Sequence, residues 1–181
     1  MDPGIAWYNH DSRMNKPRHW KIVIPVKPKA VQAVRGGRRG FYADKKVLAW
    51  KDSIRPYIRK ACKGLPSKLP IRAMSLRYIF KLPQTAPPHI VRFVEQGGYV
   101  PYLMQIDITD NLSKGVIDVC KGIVFEDDSQ IWDMSEVKKL YGTSDRIELE
   151  FEETPDVVML HAKGEKCEPE NRLSDDGDLA F

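Results

Sequence analysis

The chain has 181 residues, of which 42% are hydrophobic and 30% charged, enough apolar content for one modest core and too much for a disordered polymer. Its three cysteines (Cys62, Cys120 and Cys167) are odd in number and widely spaced, which excludes a disulfide framework, and no C-x-x-C pair points to a zinc ribbon. No apolar run approaches the roughly 20 residues that span a bilayer and the N-terminus is no secretory signal, so a soluble, cytoplasmic protein with no membrane partner is expected.

Residues 1–19 are polar and aperiodic, which predicts a loose arm ahead of a single domain over 20–160. Ile22, Ile24 and Val26 alternate with Val23 and Pro25 and predict a short strand after Trp20. A Lys/Pro segment and the run Arg35-Gly-Gly-Arg-Arg-Gly40 follow and read as a flexible loop. Asp44 can cap a helix that starts near Lys45, with Val47, Trp50, Ile54, Tyr57, Ile58, Ala61 and Cys62 at helical spacing. Pro56 should kink that helix and Gly64 should end it. Residues 71–82 alternate, with Met74, Leu76, Tyr78 and Phe80 on one face. Residues 83–98 contain three prolines and Gly97-Gly98 and read as a loop. A strand is expected at Tyr99–Ile106, and a helix of about 12 residues from Asp110 to Gly122. Ile131–Tyr141 is weakly strand-like, and Arg146–Glu153 alternates with Ile147, Leu149 and Phe151 inward. The order β-α-β-(β)-α-β-β predicts an α+β fold, a two-layer mixed sheet with helices.

The net charge of +4 hides an asymmetry. Residues 1–81 carry 20 Lys/Arg against four Asp, a balance of +16, and residues 82–181 carry nine basic against 21 acidic residues, a balance of −12. So dense a positive half attracts polyanions by counterion release, which points to nucleic acid. Guanidinium and backbone N–H groups of the Arg/Gly run can press against phosphates. Lys27, Lys29, Arg35, Arg38, Arg39, Lys45 and Lys46 are the candidate DNA-binding residues.

The stretch that carries chemistry runs from Asp107 to Ile131. Asp110, Lys114 and Asp118 are spaced i, i+4, i+8 and share one helix face, while Leu112, Val116 and Val119 form an apolar one. Asp127 and Asp128 follow the apolar pair Val124-Phe125, and a chain returning from the helix to a neighbouring strand would bring them beside Asp110. Crowded carboxylates repel unless a cation neutralises them. Oxygen ligands with no nearby His or Cys suit Mg²⁺ or Mn²⁺ and not zinc. Phosphodiester hydrolysis is the matching chemistry, with Lys114 placed to stabilise the phosphate or protonate the leaving oxygen. Asp110 as a plain helix cap, and Asp127-Asp128 as turn residues, are the structural alternatives. The four histidines are scattered, so neither a metal cluster nor a Ser-His-Asp triad can be argued, and there is no Walker loop.

Asp110-Asn-Leu-x-Lys114, Asp118, Gly122 and Asp127-Asp-Ser-Gln-Ile131 together resemble the RusA family of Holliday-junction resolvases. The family pattern is roughly D-x-D-N-x-x-K, a downstream D-x-L and a D-D-x-Q-[IV] block. Pro25-Val-Lys-Pro-Lys29 with the Arg/Gly run, and Lys138-Lys-Leu-Tyr-Gly with Arg146-Ile-Glu-Leu-Glu, resemble its first and closing strands, so the likeness covers about residues 20–153. The resemblance implies a homodimeric, Mg²⁺-dependent endonuclease that cuts four-way DNA junctions in recombination and repair, often carried by phages and prophages. It implies Asp110, Lys114 and Asp128 as catalytic residues, and Asp107, Asp110, Asp127 and Asp128 as metal-ligand candidates. The first Asp of the pattern falls on Ile108; Asp107 lies one residue earlier, and a one-residue insertion at Thr109 would bring it to the metal. If it does not reach the metal, the chain is instead a non-catalytic junction-binding or recruitment protein.

The polar tail, residues 161–181, is expected to be disordered. Its acidic end, Asp175 to Phe181, resembles the C-terminal tip of bacterial single-stranded-DNA-binding proteins, which would make it a docking element for a protein partner. Folding back onto the basic half is the simpler reading.

Overall fold

Alternation builds the sheet. Strand β1 (His19–Ile24) buries Trp20, Ile22 and Ile24 and turns His19, Lys21 and Val23 outward. This description, from a computed structural model, covers residues 16–31, 35–37, 40–42, 44–104 and 106–155, with the backbone alone at 35–37, 40–42 and 110. The expected arm and acidic tail lie almost wholly outside those residues. Strand β8 (Arg146–Glu153) buries Ile147, Leu149 and Phe151, as its alternation predicts, and pairs antiparallel with β1.

The central strand is β4 (Ile71–Lys81). It pairs antiparallel with β8 on one side and parallel, end to end, with β6 (Ile131–Met134) and β7 (Val137–Gly142) on the other. β5 (Val100–Pro101) pairs antiparallel with β7, so the sheet runs β1-β8-β4-β7-β5 with β6 beside β4. The strand expected over Tyr99–Ile106 is thus only two residues long, and Ile131–Tyr141 is two strands interrupted at Ser135 and Glu136. Within β4 the phase differs from the expected one. The register against β8 slips between Ala73 and Ser75, so Ile71 and Ala73 are buried before the slip, Leu76, Tyr78 and Phe80 after it, and Met74 only partly. A bulge shifts the pleat by one residue and hands one residue to the wrong face.

Helix α1 (Lys45–Ala61) opens where expected, with the Asp44 side chain accepting from the Lys46 N–H at 2.8 Å. It buries Val47, Trp50, Ile54 and Ile58, continues through Pro56, and closes on Cys62 two residues ahead of Gly64. The proline-rich segment expected to be a loop contains helix α2 (Pro88–Glu95). Pro88 takes the first helical position, where the missing N–H costs nothing. The Arg/Gly run is likewise not a simple loop: β2 (Arg35–Gly37) pairs antiparallel with β3 (Gly40–Tyr42). Gly37 faces Gly40 across this pair, and Arg38 and Arg39 lie outside the described residues.

The second predicted helix starts earlier than Asp110. A π-helical turn spans Ile108–Ser113, and helix α3 (Lys114–Cys120) continues from it. Leu112, Val116 and Val119 form the buried face as expected, joined by Cys120. α1 and α3 pack on each other and, with the apolar face of the sheet, enclose one core. Gly115 makes this possible: a Cβ there would stand 2.4 Å from the Val31 side chain and 3.4 Å from Trp50. Cys62 and Cys120 are free and buried, and burial pushes both thiols up, Cys62 to about 11. Among the described residues no helix is long and apolar enough to cross a membrane.

The opposite face of the sheet is polar and carries ion pairs: Lys21–Glu150 at 3.2 Å, Arg146–Glu148 at 2.7 Å and Arg77–Glu136 at 2.7 Å. Lys138 also bonds Glu136 at 2.7 Å, and Lys138 and Arg77 together hold that carboxyl at about 2. A depressed carboxyl stabilises the fold fully above its ordinary value of about 4.5 and loses that contribution as pH falls through about 2. Glu136→Gln is therefore expected to lower the Tm at pH 7 by about 2–4 °C, or about 1 kcal/mol for a largely solvated network. Circular-dichroism melts should show the difference between the two proteins shrinking steadily as pH drops below about 4.5.

Candidate active site

The π turn is capped by an aspartate. Asp107 Oδ1 accepts from the Thr109 N–H at 2.8 Å and from the Thr109 hydroxyl at 2.9 Å. The Leu112 N–H reaches back five residues to the Asp107 carbonyl at 3.3 Å, and the Ser113 hydroxyl donates to the Ile108 carbonyl at 2.7 Å. A π turn holds more residues than an α turn, and turns of this kind recur at functional sites. Thr109, where an insertion would bring Asp107 into the family pattern, falls inside it.

After α3 the chain reverses. Gly122 takes φ +75, a conformation open to glycine at little cost, and its N–H donates to the Phe125 carbonyl at 2.7 Å. Buried Val124 and Phe125 pin the return. Asp127 then caps a 3₁₀ turn over Asp128–Gln130: its side chain accepts from the Ser129 N–H at 3.0 Å, and Gln130 Oε1 accepts from the Asp127 N–H at 2.7 Å. Gln130 is buried and its Nε2 donates to the carbonyls of Ser67 and Leu69 at 2.9 and 2.8 Å. The D-D-x-Q block therefore divides its labour: Asp127 and Gln130 build and anchor the turn, and Asp128 is what the turn presents. The spacing of a cap and a Gln three residues later is a capping-box signature, the sequence signal that gives Gln130 its role.

A cleft of about 300 Å³ opens between α3 and β6, lined by Thr109, Ser113, Lys114, Ile117, Asp118, Asp128, Ile131 and Met134. Lys114 and Asp128, two of the three residues expected to be catalytic, thus share one cleft. Asp107 caps the turn that contributes Thr109 to it. Asp110 lies within that turn, but its side chain lies outside the described residues. Asp127 is not among the lining residues. Among the described residues no three His, Cys, Asp or Glu side chains converge on one point, a statement that does not include the Asp110 carboxylate.

Two lysines that sequence patterns did not single out as site residues sit against these acids. Lys121 Nζ bridges Asp127 Oδ2 at 2.5 Å and Asp128 Oδ1 at 3.4 Å. Its bond, with those from Ser129, holds the Asp127 carboxyl far below the carboxylate range, and the two aspartates raise Lys121. Lys51 Nζ bonds Asp118 Oδ2 at 2.7 Å.

The basic residues approach the same region. Lys45 and Lys46 are exposed on the first turn of α1, and Lys29 Nζ donates to the Lys46 carbonyl at 2.9 Å. Lys27 is exposed and its carbonyl accepts from Trp50 Nε1 at 3.0 Å. The Val31 N–H donates to the Asn111 carbonyl at 2.8 Å, which ties the Lys27–Lys29 segment to the residue after Asp110. The side chain of Arg35 lies outside the described residues, as do Arg38 and Arg39.

The fold is thus a mixed sheet with helices, and its cleft sets a lysine among acids beside a basic segment. The family comparison names the kind: the model described as Endodeoxyribonuclease RusA matches residues 24–152, and the chain belongs to that family. No curated protein matches it. Membership implies Holliday-junction resolvase nuclease activity and binding to DNA junctions.

Gln130→Ala is expected to cost about 2–3 kcal/mol, because it strands the Leu69 carbonyl and the Asp127 N–H and leaves the Ser67 carbonyl with the Glu126 N–H alone. Urea unfolding should show this as a lower midpoint with an unchanged slope.

Proposed function

We propose that the chain is a divalent-metal-dependent endonuclease that resolves four-way DNA junctions by paired symmetric nicks, as a homodimer, in recombination and repair in a bacterial or phage setting. The observation that carries this reading is the shared cleft of Lys114 and Asp128, residues from two separate segments of a chain that belongs to the RusA family. Apart from Asp118, whose carboxylate Lys51 engages, the donors that line it are oxygen atoms of Asp128 and the Thr109 and Ser113 hydroxyls, with no His or Cys, a set that fits Mg²⁺ or Mn²⁺. Asp107, Asp110 and Asp128 would hold the ion; Asp127 joins them only by giving up its cap and Lys121. Such an ion activates water and stabilises the charge of an in-line displacement.

Lys114 is exposed in the cleft and faces the developing charge on the phosphate. The junction arms would lie on Lys27, Lys29, Lys45 and Lys46, with Arg35, Arg38 and Arg39, held by phosphate contacts that are indifferent to sequence. Two-fold symmetry gives two matching cuts.

A second reading, junction binding without cutting, rests on Asp107 serving as a cap and on Lys121 bridging Asp127 and Asp128. A labelled synthetic four-way junction with Mg²⁺ separates the two. Wild type should give paired nicks, Asp110→Asn and Asp128→Asn none, and Lys114→Ala should bind normally while cutting about 10²–10³-fold more slowly. Binding without nicks in Mg²⁺ or Mn²⁺ would establish the second reading.

The place of Asp107 has its own test. Deleting Thr109 removes the surplus residue and should keep Mn²⁺ affinity, measured by calorimetry, within about threefold of wild type, while Asp107→Asn should weaken it about tenfold or more. Unchanged affinity in Asp107→Asn would remove it from the ligand set.

A further inference from the structure

Lys51 belongs to none of the patterns that point to the cleft. It stands on α1, next to Trp50, and the close seating of Trp50 and Val31 over Gly115 sets α1 firmly against α3. From there its Nζ bonds Asp118 Oδ2 at 2.7 Å, with 19% of the Lys51 side chain and 36% of that of Asp118 exposed.

Asp118 lines the same cleft as Lys114 and follows it by four residues on the same helix. Side chains four apart are neighbours on a helix surface, so an unengaged Asp118 would pair with Lys114. In the structure it pairs with Lys51, and Lys114 has no hydrogen bond or ion pair to a described residue.

We infer that Lys51 is a positioning residue: by holding Asp118 it keeps the Lys114 ammonium open to an incoming phosphate. This rests on the nuclease reading above. Lys51 brings no group to the reacting atoms; it decides which cation Asp118 answers to.

The test compares wild type, Lys51→Gln, Lys51→Arg, Asp118→Asn and the Lys51→Gln/Asp118→Asn pair, each checked for folding by thermal melt. Under single-turnover conditions Lys51→Gln should cut junctions about fivefold more slowly with its junction affinity within twofold, the loss expected when a half-exposed pair captures most of the lysine. Lys51→Arg and Asp118→Asn should stay near wild type, and the double variant should recover, because no carboxylate is left to capture Lys114. A double variant as slow as Lys51→Gln, or a Lys51→Gln as fast as wild type, would overturn the inference. A crystal structure of Lys51→Gln supplies a readout independent of cutting. Lys114 Nζ within hydrogen-bond distance of Asp118 supports the inference even if wild type nicks nothing, an outcome that would sink only the nuclease reading. An Asp118 turned away from Lys114 overturns it.

Discussion

Carboxylates that share a cleft repel one another, and they stay ionised there only where cations or N–H donors face them. The molecule meets this constraint with lysines from two different elements. Lys51 reaches across from α1 to Asp118, and Lys121, at the end of α3, reaches forward to Asp127 and Asp128. The first pairing depends on α1 lying close to α3, hence on the missing side chain at Gly115. The second depends on the chain doubling back at Gly122, whose positive φ lets Phe125 bond to it and returns residues 127 and 128 to the side of residue 121. Two glycines in the packing and turn geometry thus set the electrostatics of the site.

The same packing explains why a basic surface and an acidic cleft can sit side by side. Lys27 and Lys29 follow β1 on a segment that crosses the start of α3 through the bond from Val31 to Asn111. Lys45 and Lys46 are brought alongside by the bond between Lys29 and the Lys46 carbonyl. Lysines of the basic half are in this way held beside the carboxylates of the cleft. The charge split between the halves of the sequence becomes a short-range arrangement in space.

Legibility followed burial. β8 could be read residue by residue because one face is covered and the other wet, so hydrophobicity reports orientation directly. The Asp44 cap and the apolar stripe of α1 were legible for the same reason. Met74 was misplaced because a bulge leaves no mark on the alternation around it. α2 was hidden by its prolines, which open a helix as readily as they break one. The Arg/Gly run reads as a loop because glycine pairs count against strands, yet Gly36 and Gly37 pair with Phe41 and Gly40. In the site, the acids and Lys114 stood out by their spacing. Lys51 and Lys121 did not, because an ion pair between separate elements leaves no periodic trace, and Gln130 was visible as a motif letter but not as a buried anchor.

The π turn carries the most information about how a site tolerates a change of length. An extra residue in a regular helix rotates everything on one side of it by about 100° relative to the other. Here that would have turned either the buried Leu112, Val116 and Val119 out of the core or the preceding segment away from the cleft. A wider turn can hold an added residue without that rotation, and here Leu112 bonds five residues back while Ser113 closes the turn through its hydroxyl. From Lys114 onward the helix keeps its phase, so Lys114 and Asp118 face the cleft while Val116 and Val119 stay buried. The cost is borne by the turn itself, whose looser hydrogen bonding Asp107 offsets by capping Thr109 twice. The acid one residue ahead of the family pattern's first position is therefore the residue that caps the turn.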